Sequence, residues 1–170
     1  MKASIKLAVL GSALLASPLA SQAATDTADF DVLLNLRASC TIDQATDLDF
    51  GNATEAQVVT GGITGTSTVS VTCSNGAAYD IGLSGTNATR AMTSANGSSV
   101  SYELYQDSAN STAWENTTGT LVSDTGDSNQ QDFTVYGLIP AQTPTINAAD
   151  SLDGDTGVDL SDTVTVTVTF

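Results

Sequence analysis

Few residues in this sequence are of the types that carry out chemistry. Its 170 residues include two cysteines, Cys40 and Cys73, no histidine, and four Lys and Arg against 19 Asp and Glu. A serine or cysteine nucleophile needs a neighbouring base. Histidine is absent and both lysines, Lys2 and Lys6, sit in the first few residues. Two cysteines in an exported chain most simply form one disulfide, because a metal site would ask for more Cys or His. On the chain-entropy picture, a Cys40–Cys73 bridge stabilises the fold by roughly 3 to 4 kcal/mol. That is a large share of a net stability of about 5 to 15 kcal/mol. Carboxylate pairs could hydrolyse glycosides, but the acids are scattered through polar stretches. No enzyme activity, metal or cofactor is expected.

Three further features invite a site. Asp150, Asp153, Asp155 and Asp159 in DSLDGDTGVD are hard oxygen ligands. Their spacing is not that of the regular Asp-x-Asp-x-Asp-Gly calcium loop and no Glu closes it, so a solvated acidic loop is the plainer expectation. Asn52, Asn87, Asn96, Asn110 and Asn116 each open an Asn-x-Ser/Thr triplet. A chain this rich in Ser and Thr produces such triplets by composition, and they matter only where glycosylation machinery exists. Trp114, the only tryptophan, is either a sugar-stacking platform or core packing, and packing is the expectation.

The elements around these residues belong to an exported β protein. Lys2 and Lys6 precede an apolar run from Leu7 to Ala16, and Ser21-Gln22-Ala23 places small residues at a signal-peptidase site. Residues 1–23 therefore read as a signal peptide cut before Ala24. The run is too short to span a bilayer, and with no other transmembrane stretch the exported protein is expected to be soluble. Cleavage leaves Arg37 and Arg90 as the only cations against all 19 acids. Nucleic acid and anionic membrane surfaces are poor partners for such a chain. What remains is long enough for one domain with its own core.

Strand patterns recur along the chain. In TADFDVLLNLRASC, residues 27–40, the side chains Phe30, Val32, Leu34 and Leu36 alternate with polar ones, and Leu33 alone is apolar on the other face. The same parity continues through Ala38, Cys40 and Ile42. LDFGN at 48–52, STVSVTC at 67–73, YDIGLSG at 79–85, VSYELYQD at 100–107, DFTVYGLIP at 132–140 and SDTVTVTVTF at 161–170 read as further strands. Two long loops are expected, 107–131 and 141–160. No helix is expected beyond the signal peptide. Short alternating strands between Gly, Asn, Ser and Asp turns indicate an all-β sandwich or barrel. Its first strand is apolar on one face and its last offers an unpaired edge, a combination that suggests strand exchange between copies.

The ordered set of motifs resembles one family. ASCTI around Cys40, LDFG, VSVTCSNG around Cys73, YDIGLSG, RAM at 90–92, VSYELYQD followed by Trp114, VYGLIPAQ and the terminal SDTVTVTVTF are similar, in order and spacing, to the spore coat protein U domain, to which pilins of archaic chaperone-usher pili belong. The resemblance implies an incomplete immunoglobulin-like β-sandwich over residues 39–170 and an N-terminal donor strand over 24–38. It implies Phe30, Val32, Leu34 and Leu36 as donor residues, and Val164, Val166, Val168 and Phe170 as the edge of the acceptor groove. The implied partners are a periplasmic chaperone, an outer-membrane usher and neighbouring pilin subunits, in a homopolymer or mixed fibre. The implied location is a cell-surface pilus reached through the periplasm. The sequence departs from the family between Gln142 and Ser161, where Asp159 and Leu160 stand in place of a Gly and an aromatic.

Two functions follow. The first is a structural pilus subunit that polymerises by donor-strand exchange and supports attachment and biofilm formation. The second is a secreted monomeric carbohydrate-binding or adhesive module, using Trp114 and the tyrosines, in which the first strand completes its own sandwich.

Overall fold

The computed structural model describes residues 24–85, 90–150, 152 and 157–170. The signal-peptide reading, Asn87, Asp153 and Asp155 lie outside the described residues. The chain forms two units, one ending at Asn35 and one running from Leu36 to Phe170. In the first, residues 24–35 form no strand, and Phe30, Val32, Leu33 and Leu34 are exposed. Among the described residues the segment expected as a strand over 27–40 forms none before Cys40, where regular pairing begins.

The second unit is an all-β, incomplete immunoglobulin-like sandwich of antiparallel strands. One sheet has the order β1-β2-β8-β6, built from β1 (Cys40–Ala45), β2 (Ile63–Cys73), β8 (Gln130–Ile139) and β6 (Glu103–Tyr105). The other has the order β7-β3-β9, from β7 (Val122–Thr125), β3 (Ala78–Gly85) and β9 (Val164–Thr169). A two-stranded ribbon joins β4 (Ala91–Thr93) to β5 (Ser99–Ser101). The longest ladder runs from Ile63 opposite Ile139 to Thr72 opposite Gln130.

The core is the inward parity of these strands. Val69, Val71, Cys73, Leu104, Val135 and Ile139 from one sheet meet Tyr79, Ile81 and Leu83 from the other. Valine and isoleucine suit these positions because their branched side chains pack well on a pleated surface. Cys40 and Cys73 stand directly opposite each other in the β1–β2 ladder and are disulfide-bonded. Beside them, Ser39 N–H donates to Ser74 Oγ at 3.0 Å and Ser74 N–H to the Ser39 carbonyl at 2.9 Å. The point where the chain enters the sandwich is therefore tied both covalently and by hydrogen bonds.

Several expectations need correction. LDFGN is not a strand. Leu48 lies instead over Gly65 and Gly137, which face each other across β2 and β8. A Cβ at Gly65 would come within 2.8 Å of the Asp49 carbonyl oxygen, and one at Gly137 within 2.8 Å of both Leu48 methyls. The alternation of Leu48 and Phe50 serves this recess, not a ladder. VSYELYQD is split into β5 and β6, which join different sheets. The expected loop 107–131 contains β7.

A helix was also missed, α1 (Glu55–Thr60). Thr54 opens it with a capping box: Gln57 N–H donates to Thr54 Oγ1 at 3.3 Å, and Gln57 Oε1 accepts from Thr54 N–H at 2.8 Å. It stops at Gly61, where φ is +74° and a Cβ would collide with the Ala141 backbone nitrogen. Only Val58 of this helix is buried, so no periodic apolar face announces it.

Candidate functional site

The two sheets leave one side of the sandwich open. Among the described residues β1 pairs only with β2 and β9 only with β3, so each presents an edge. Beside these edges lies a cleft of about 450 Å³. Its lining includes Val69, Leu83, Leu104 and Val135, residues that belong to the core. One wall is the segment Ala45–Leu48 with Phe50, and the other is Leu160–Val164 with Val166. Ser67, Met92 and Tyr102 complete the lining. An apolar cleft flanked by unpaired strand edges is suited to receive one more strand, because the edges supply hydrogen-bonding groups and the lining supplies apolar contact.

Polar residues fix the walls. Tyr102 stacks at a tilt on Phe50, ring centroids 6.3 Å apart, and its hydroxyl donates to Asp162 Oδ2 at 2.8 Å. Burial, and then the Asp162 carboxylate, push the Tyr102 phenol up to about 12. Asp49 Oδ1 accepts from Gly51 N–H at 2.7 Å and turns the chain after Phe50. Arg90 has a positive φ of 43°. Its Nη2 donates to the carbonyls of Leu83 at 2.6 Å and Trp114 at 3.0 Å, while Nη1 is buried with no hydrogen-bond partner among the described residues.

The residues singled out in the sequence fall in different places. Val164 and Val166 line the cleft. Val168 packs against the core opposite Ile81, and Phe170, 60 % exposed, lies near Tyr79 and Asp124. Phe30, Val32, Leu34 and Leu36 are 84 to 87 % exposed. Trp114 is 1 % exposed and hydrogen-bonded through Nε1 to the Ile81 carbonyl. It is a core residue, and the sugar-platform reading loses its main residue. Leu48, Phe50, Met92 and Leu160 were not singled out as lining, because they come from coil or a very short strand and are gathered only by the tertiary fold.

The acidic run holds less solvent than expected at its first residue. Asp150 accepts hydrogen bonds from Ser94 Oγ, Ser98 Oγ and Asn96 Nδ2, the last at 2.7 Å. These donors hold its carboxyl down to about 2. Asp150 thereby ties its loop to the β4–β5 turn. Among the described residues no group of three or more His, Cys, Asp or Glu is placed to hold a metal ion. No helix among them is long and apolar enough to cross a membrane.

Fold and cleft together define an immunoglobulin-like sandwich that lacks a strand. The sequence matches the Spore Coat Protein U domain over residues 26–167, and the chain belongs to that family. Two crystal structures are similar to it. One is the CsuC–CsuE chaperone–tip adhesion subunit pre-assembly complex from the archaic chaperone-usher Csu pili of Acinetobacter baumannii, with a TM-score of 0.53 and 22 % identity over 78 % of this chain and 40 % of the matched chain. This protein therefore spans less than half the length of that chain. The other is the P pilus rod subunit PapA, with a TM-score of 0.49 and 12 % identity over 76 % of this chain and 97 % of PapA. No curated protein sequence matches.

Proposed function

We propose that the protein is a structural subunit of a chaperone-usher pilus that polymerises by donor-strand exchange. The observation that carries this reading is the open cleft, where core residues Val69, Leu83, Leu104 and Val135 line a gap flanked by the unpaired edges of β1 and β9. In the same chain, Phe30, Val32, Leu34 and Leu36 alternate as in a strand yet are exposed. The donor residues of one copy would fill the cleft of the next, with β9 as the pairing edge. Burying four such side chains is worth about 6 to 12 kcal/mol gross, at roughly 1.5 to 3 each, before ordering costs are subtracted.

Membership of the Spore Coat Protein U domain family supports the reading. The likeness to a subunit in a chaperone-bound pre-assembly complex supports a periplasmic chaperone as an earlier occupant of the cleft. Delivery to an outer-membrane usher, display on a cell-surface pilus, and a role in attachment and biofilm formation belong to the same proposal.

The test is assembly of two variants expressed with the chaperone and usher. Deleting residues 24–36, or making Leu34→Asp, should leave chaperone binding intact and abolish SDS-resistant, heat-dissociable ladders. Wild-type ladders from either variant would refute donor-strand exchange through this segment. A deletion variant that folds alone as a stable monomer without chaperone would do the same.

A further inference from the structure

The cleft and its proposed occupant carry charge of the same sign. Asp26, Asp29 and Asp31 crowd the first half of the donor segment, with Arg37 the sole cation at its far end. Near the first residues of β9, the cleft is lined by Asp47 and Asp162. Near the last, Asp80 stands opposite Thr169 in the ladder, and Asp124 lies by Phe170.

These carboxylates are held in place. Asp162 accepts from the Tyr102 hydroxyl and from Thr163 N–H, Asp80 from Ser123 Oγ, and Asp124 from Gln131 Nε2 and Thr125 N–H. Among the described residues the only cation beyond Arg37 is Arg90, whose Nη2 is engaged by two carbonyls. A donor laid along the free edge of β9 brings Asp29 and Asp31 beside Asp47 and Asp162 in one direction; in the other it sets them across β9 from Asp80, two strand spacings or ~10 Å away, with Asp124 one strand further on β7.

We propose that joining of two copies is opposed by this like-charge contact and gated by ionic strength. This rests on the donor-strand reading above and adds regulation to the same cleft. Opposite charges accelerate encounter by factors of about 10 to 1,000 at low salt. Like charges act in the reverse sense, and screening relieves them: the Debye length falls to about 10 Å at 0.1 M and about 3 Å at 1 M. Salt that weakens most charge-steered associations speeds this one.

The experiment uses the full chain and a fluorescent synthetic peptide of residues 24–38, with uptake followed from about 20 to 500 mM sodium chloride. The wild-type peptide should enter roughly tenfold faster at the high end. A peptide carrying Asp29→Asn and Asp31→Asn should enter faster at low salt and show a much flatter slope. That control separates screening from salt-strengthened apolar contact. A wild-type rate that is flat or falls with salt overturns the proposal, as does an unchanged slope for the Asn peptide. A Leu34→Asn peptide entering as fast as wild type counts against the donor-strand reading itself. No uptake of any peptide at any salt overturns both.

Discussion

Trp114 donates its indole hydrogen to the Ile81 carbonyl at 3.0 Å, in the middle of the core. Ile81 is opposite Val122 on β7 and Val168 on β9, so this bond reaches the central strand of the smaller sheet. Trp114 N–H donates to the Leu104 carbonyl of the other sheet at 2.8 Å. One residue outside both sheets thus bonds to a strand of each.

Trp114→Phe keeps most of the packed volume and removes the indole donor. It should destabilise the domain by about 1 to 3 kcal/mol, the cost of an unsatisfied buried polar group. Trp114→Ala should cost about 3 to 5 kcal/mol. Urea unfolding followed by circular dichroism reads both, and an unmoved midpoint for Trp114→Phe would show that the bond contributes nothing net.

Replacing Cys40 and Cys73 together by serine should lower stability by roughly 3 kcal/mol, within the usual range for losing a native disulfide. A reductant should produce a similar drop in the parent protein and none in the double variant. Equal stability of parent and variant under oxidising conditions would remove the bridge from the account.

Gly65→Val places a branched side chain where the Asp49 backbone lies. The Leu48–Phe50 segment must lift from the sheet, at a cost of about 1 to 3 kcal/mol for overpacking. Because that segment walls the cleft, uptake of the residue 24–38 peptide should slow as well. Unchanged stability and uptake would mean that the wall moves freely.

Stability should depend on pH at both extremes. Asp150 is held down to about 2 by Ser94, Ser98 and Asn96. A folded value below the unfolded one gives stability that is present above about pH 4 and lost as pH falls toward about 2. Asp150→Asn should flatten that acid limb. Tyr102 is pushed up to about 12, first by burial and then by Asp162. A raised value gives stability that is present below about pH 10 and lost as pH climbs toward 12. Tyr102→Phe should flatten the alkaline limb. Thermal melts across pH read both, and parent-like slopes in the variants would reassign them.

The strands that were legible are those whose apolar side chains alternate strictly along the sequence. Val69 to Cys73, Tyr79 to Leu83 and Val164 to Val168 carry their inward parity in the residues themselves. Leu48 and Phe50 show the same alternation, but they sit over a recess made by Gly65 and Gly137, a pairing that local periodicity does not contain. Helix α1 carried only the Thr54–Gln57 box as a signal. Of the residues around the cleft, Val164 and Val166 carry a readable alternation, whereas Met92 and Leu160 reach it only through the ribbon and the connection before β9. The role of Asp150 was hidden because its partners, Ser94, Asn96 and Ser98, are distant in sequence.

The disulfide has a mechanical meaning besides its thermodynamic one. A pull on residues before Ser39 reaches the sandwich at Cys40, the first residue of an edge strand, which alone would peel away one hydrogen bond at a time. The bond to Cys73 passes that tension to the end of β2, whose ladder with β8 runs ten registered pairs. In a fibre joined as proposed, tension entering through this segment would thus reach β2 without first peeling the edge strand β1 away.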